Sequence, residues 1–95
     1  MIKNWKTKET DALFKTILSL KSKAEAENFF RDLCTLEEIQ ALRERWLVAR
    51  ILDQGKSYRD IAKETGISTT TITRVAHWLH HGEGGYKLIL KRTNL

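Results

Sequence analysis

Residues 57–80 read SYRDIAKETGISTTTITRVAHWLH, two short helical segments around one glycine. Ser57 with Asp60 three residues on is a helix-opening pair, Gly66 suits a turn, and Ser68 stands where a second helix would be capped. Ile61, Ala62, Gly66, Ile67, Ile72 and Val75 are small or apolar where two crossing helices must touch. Ser68, Thr69, Thr70, Thr73, Arg74 and His77 are polar where the second helix would meet a partner. The pattern predicts a helix-turn-helix, which lays its second helix in the major groove of double-stranded DNA. Threonine is a poor residue for a helix interior, but the run Thr69–Thr71 falls in the first turn. Its hydroxyls and methyls suit phosphates and thymine methyl groups. Arg59, Lys63 and Arg74 are the expected phosphate contacts, with Ser68 to Thr70 and Thr73 at the base edges. The competing reading pairs these cations with Asp53, Asp60 and Glu64 as surface ion pairs, each worth little.

Outward from this segment the chain reads as all helix. Leu13, Phe14, Ile17 and Leu18 recur at spacings of three and four, predicting a helix from about Lys8 to Leu20 behind a flexible arm, residues 1–7. Ser22 with Glu25 opens a second helix to about Cys34, with Ala26, Phe29, Phe30 and Leu33 as its buried stripe. Thr35 with Glu38 opens a third, longer helix to about Gln54, and Gly55 ends it. Leu42, Trp46 and Ala49 lie along one line of that helix and Ile39, Leu47 and Ile51 along another, with Val48 and Leu52 widening the stripe. A helix apolar over so much of its circumference is buried on two sides, either as the central core helix of a monomer or, the expectation in so small a chain, with its second side against another subunit of a homodimer. Residues 82–95 read as a glycine joint followed by a tail or last helix from Tyr86 to Arg92. About six helices in a single domain, 1–95, is the expected architecture.

Composition narrows the function. A chain of 95 residues, 41% hydrophobic and 31% charged, has the balance of a folded domain rather than a disordered one. The net charge of +5 is uneven: residues 1–40 carry seven basic and seven acidic residues, residues 41–95 ten and five. The surplus therefore lies in the half holding the helix-turn-helix, as phosphate neutralisation requires. The longest apolar run is four residues, Trp46 to Ala49, too short for a membrane span, and the N-terminus lacks the apolar stretch of a signal peptide. A cytoplasmic protein is expected. Cys34, the only cysteine, forms no internal disulfide or cysteine cluster and reads as a small buried hydrophobe.

His77, His80 and His81 with Glu83 raise the question of a metal-dependent activity, since His77 and His81 are four apart on one helical face. No glutamate lies between them in the manner of H-E-x-x-H, and there is no phosphate-binding glycine loop, no G-x-S-x-G and no convincing carboxylate pair. No enzyme activity, metal or cofactor is expected. A helical protein-interaction module, docking an acidic partner without reading sequence, is the alternative to a DNA-binding regulator.

With these residues laid out, the chain resembles the tryptophan repressor family, most closely its small YerC/YecD-type branch. The resemblance runs from about Leu13 to Arg92 and is sharpest in CTLEEIQALRERW (34–46), GKSYRDIAKETG (55–66) and TTITR (70–74). It implies an all-α, intertwined homodimer with one helix-turn-helix per subunit, regulating transcription at a palindromic operator. The tryptophan repressor is itself a standard example of this motif and of water-mediated base contacts. The resemblance also implies a ligand pocket, its threonine and two arginines matching Thr35, Arg45 and Arg74. Two positions depart from that pattern. The family's glycine directly after the second arginine is Val75 here, and its serine for the ligand's amino group is Trp78. The expected effector, if the pocket takes one, is a small molecule other than tryptophan.

Overall fold

Six α-helices and no strand occur among residues 4–93, the residues described by the computed structural model. They are α1 (Lys8–Ile17), α2 (Lys23–Leu33), α3 (Leu36–Asp53), α4 (Tyr58–Thr65), α5 (Thr69–His81) and α6 (Gly85–Thr93). The chain falls into two compact units, one up to Ile39 and one from Gln40 onward, with the boundary inside α3. Residues 1–3 of the expected arm and 94–95 of the expected tail lie outside the described residues.

In the first unit, side-chain caps define the helices. Thr7 and Thr10 form a reciprocal capping box at the start of α1, and the Thr10 hydroxyl also donates to the Trp5 carbonyl. Trp5 meets Phe14 edge-on with ring centroids 6.1 Å apart, so residues 5–7 are tied to α1 rather than splayed from it. α1 ends at Ile17, short of Leu20, because Ser19 and Leu20 donate to carbonyls three residues back and tighten the chain into a turn. Ser22 caps α2 through Glu25 N–H, but the Glu25 carboxylate accepts from Lys21 N–H, one residue before the box expected. Thr35 and Glu38 close the full reciprocal box that opens α3, at 2.8 and 3.1 Å. The stripe expected to be buried on α2 is not: Ala26, Phe29 and Phe30 are half-buried and Leu33 is half-exposed. α1 and α2 contain no buried residue.

The second unit holds the core. Val48 and Ala49 of α3, Ile61 of α4, Ile67 of the turn, and Ile72 and Val75 of α5 form one buried cluster. Trp46, Leu47, Ile51, Leu52, Ala62 and Tyr86 pack around it. The apolar positions read from residues 57–80 are thus the ones that hold α4 and α5 against α3. Leu42, on the wide stripe of α3, is left 46% exposed. Gly66 adopts φ +74°, the left-handed conformation that costs an ordinary residue roughly 1–2 kcal/mol. Its N–H closes α4 on the Ala62 carbonyl at 2.9 Å. Gly82 closes α5 in the same way on the Trp78 carbonyl.

Candidate nucleic-acid interface and the pocket behind it

α5 carries three stripes. At about 3.6 residues per turn, Thr69, Thr70, Thr73 and His77 share one side of the helix, and Ile72, Val75, Ala76 and Leu79 share the side turned to the core. Thr71, Val75 and Trp78 fall between, on the third side, and Arg74 stands at the seam between that side and the threonines. The burial pattern matches: Ile72, Val75, Ala76 and Leu79 are buried, while Thr69, Thr70, Thr73, Arg74 and His77 are exposed. Ser68 accepts a hydrogen bond from Thr71 N–H at 3.2 Å, so its hydroxyl fixes the first turn of α5 while remaining exposed.

On α4, Arg59 and Lys63 are one turn apart and exposed. Among the described residues the ion pairs are Asp11–Lys15, Lys23–Glu27 and Lys56–Glu64, the last at 2.7 Å. Arg59, Lys63 and Arg74 are in none of them, and Glu64, one of the expected surface partners, is taken by Lys56. The cations that would neutralise phosphate are therefore uncommitted, on the same unit as an exposed row of hydroxyls.

A pocket of about 370 Å³ opens on the third side of α5, lined by Arg45 of α3, Thr71, Arg74, Val75 and Trp78 of α5, and Tyr86 of α6. Two of the three residues implied by family resemblance, Arg45 and Arg74, meet here. Thr35 lies in the first unit, where it serves as the N-cap of α3. Val75 is 2% exposed and belongs to core and pocket wall alike, whereas Trp78 is 57% exposed and lines the pocket rather than filling it. Tyr86 stacks on Trp46 with centroids 6.3 Å apart and planes 16° from parallel. Burial raises its phenol above the ordinary value, and the positive charge of Arg45 opposes that rise in part. Thr71 and Tyr86 are pocket residues that the sequence reading missed.

His77 and His81 stand with ring centroids 5.3 Å apart, and His80 lies 6.4 Å from His81. Among the described residues no three His, Cys, Asp or Glu side chains gather in a group able to hold a metal ion. Cys34 is a half-buried free thiol at the end of α2. No helix among the described residues is long and apolar enough to cross a membrane.

The fold and surface define a helix-turn-helix protein whose α4 and α5 expose hydroxyls and cations outside the ion pairs found among the described residues. Comparison with known proteins gives the family: residues 8–94 match the family model of the Trp repressor protein, and the chain belongs to that family. It is 51% identical to YerC of Bacillus subtilis (strain 168) over 85 residues, covering 90% of this chain and 82% of YerC. A TrpR-like protein from Eubacterium eligens has a crystal structure similar to this one, with a TM-score of 0.89 and 44% identity, covering 95% of this chain and 93% of that one. A Trp repressor candidate from Staphylococcus aureus gives a TM-score of 0.88 at 44% identity, covering 94% and 89%. The family consists of regulators rather than enzymes, and membership implies a DNA-binding regulator.

Proposed function

We propose that this chain is a sequence-reading transcriptional regulator, a repressor, that binds a palindromic operator as a homodimer. The observation that carries the reading is the surface of α4 and α5. Arg59, Lys63, Ser68, Thr69, Thr70, Thr73, Arg74 and His77 are all exposed, and its three cations are free of ion pairs among the described residues. The Arg59, Lys63 and Arg74 side chains set the register on phosphates, and the hydroxyl row touches base edges in the major groove. His77, one turn beyond Thr73, extends the contact toward the C-terminal end of α5. Cytoplasmic residence accords with this role.

Homodimerisation is supported by the apolar surface left open on the single chain. Leu18 is 85% exposed, Leu36 61%, and Phe14 and Leu33 50% each. A two-fold dimer presents two reading helices, which is why the operator is expected to be palindromic. Selection of binding sites from random double-stranded DNA tests the reading: an enriched inverted repeat is expected. Binding that enriches no sequence would instead leave a basic interaction module for acidic partners.

Free tryptophan is not its signal. Trp78 puts an indole on the pocket wall where the family pattern has a hydroxyl for the ligand's amino group, and Val75 adds a branched side chain where that pattern has glycine. A calorimetric titration with tryptophan is expected to give no micromolar binding; clear micromolar heat would sink this part of the reading.

A further inference from the structure

The C-terminal end of α5 carries three imidazoles. His77 and His81 lie one turn apart with ring centroids separated by 5.3 Å, and His80 stands 6.4 Å from His81. All three are exposed. Positions four apart stack along one side of a helix, so His77 and His81 continue the side of α5 that bears Thr70 and Thr73.

This end of the helix has no resident counter-ion. The second unit's carboxylates belong to Glu44 and Asp53 of α3, Asp60 and Glu64 of α4, and Glu83 in the loop after α5. None of them forms an ion pair with an imidazole among the described residues, and Glu64 is held by Lys56. The same elements bring an excess of cations: Arg43, Arg45 and Arg50 on α3, Arg59 and Lys63 on α4, Lys87, Lys91 and Arg92 on α6, with Arg74 on α5 itself. An imidazolium here is favoured by the carbonyl end of α5 but adds to a positive surplus. A DNA phosphate is the counter-ion that this surface lacks.

Position along the helix points the same way. Measured from Thr70, His77 lies roughly 10 Å and His81 roughly 16 Å further along the axis, at about 1.5 Å per residue. The major groove is about 12 Å wide, so a helix with Thr70 at the base edges carries the two imidazoles to the groove wall, where the phosphates run.

We propose that His77 and His81 form a phosphate-binding pair that engages the DNA backbone as imidazoliums, so that DNA binding takes up protons and tightens as pH falls. The inference rests on the DNA-binding function proposed above and adds a regulating signal to it. The ordinary charge change of histidine falls between about pH 5 and 8. The complex favours the charged form, so the gain is full at the acidic end of that range and is lost as pH rises through it.

Affinities of the full chain for its selected DNA site, measured at about pH 5.5 and 7.5 over a salt series, test this. Affinity should be at least about tenfold higher at the lower pH, the scale of one charge-assisted contact. Log affinity should also fall more steeply with log salt there, by about 0.9 for each imidazolium on a phosphate. In His77→Gln/His81→Gln, checked for helicity by circular dichroism at both pH values, both differences should largely disappear. His77→Lys/His81→Lys, charged at both pH values, should keep the steep slope at the higher pH. The proposal is overturned by affinity for the selected site that does not change with pH, by a pH response that survives in the glutamine variant, or by one without a change of salt slope. Binding that selects no site, yet tightens on random duplex at low pH and loses that response in the glutamine variant, supports the phosphate pair while overturning the operator reading. A chain that binds no DNA at either pH overturns both.

Discussion

Arg74 borders two surfaces because of where it falls on one helix: a turn after Thr70 on the exposed hydroxyl side, and a turn before Trp78 on the pocket side. Arg74→Ala should weaken operator binding across all sequences alike, since a phosphate contact carries no base information. It should also flatten the dependence of log affinity on log salt by about 0.9, the effect of one released counterion. Gel shifts over a salt series check this, and an unchanged slope would remove Arg74 from the interface. Tyr86 makes a separate prediction. Burial raises its phenol above 10.0, so at rising pH the unfolded chain loses this proton first. Folding stability is then intact below that pH and falls as pH climbs through the raised value. Urea unfolding above pH 10 should show that decline, and Tyr86→Phe should lessen it. The exposed polar side of α5 was legible in the sequence because its polarity alternates with the core at helical spacing. Tyr86 was not, since its place beside Arg45 depends on how α6 folds back in the second unit. Thr71 lies three residues before Arg74 and seven before Trp78, a helical spacing that puts it on the pocket side, but residue type alone does not separate it from Thr69 and Thr70 on the other side.

At the scale of elements, caps and glycines decided what was readable. The Thr35–Glu38 and Ser68 caps and the Gly66 turn stand where the spacing placed them, because each is a local hydrogen bond or backbone preference. The Thr7–Thr10 box escaped because a hydroxyl occupies the position where a carboxylate is the familiar signal. The early end of α1 escaped because apolar periodicity continues through Leu18 while the backbone has already turned. α4 and α5 form a unit only through a few buried contacts, so single changes there should tell. Ile72→Ala empties a fully buried site in the cluster and should cost about 2–5 kcal/mol, with loss of DNA binding following loss of the fold. Gly66→Ala should cost about 1–2 kcal/mol from backbone strain alone, since a Cβ at that position meets nothing within 4 Å. Gly82 is the opposite case: a Cβ there would collide with the Trp78 carbonyl, so Gly82→Ala should disturb the junction of α5 and α6 by steric overlap. Denaturant midpoints for the three variants separate cavity, strain and collision.

For the whole molecule, the question is where the open apolar surface goes. The first unit has no buried residue among those described, yet it presents Phe14, Leu18, Leu33 and Leu36, each at least half exposed. A 95-residue chain with its buried core confined to the second unit cannot gain much stability by itself from so small a buried set. The apolar spacing announced these stripes, but periodicity gives a face and not the identity of what covers it. Covering them with a second copy accounts for helices that are amphipathic in sequence and uncovered in the single chain. Sedimentation at micromolar concentration should therefore give a species of about twice 11.1 kDa, and the thermal midpoint should rise with protein concentration, as it does when subunits dissociate on unfolding. Leu18→Asp, at the most exposed of these positions, disturbs little within the chain but places a charge on the surface to be covered. It should lower the midpoint and shift sedimentation toward the monomer while leaving the second unit's core residues untouched. A wild-type chain that sediments as a monomer, with a midpoint independent of concentration, would contradict the dimer. It would equally leave the palindromic operator without a two-fold reader.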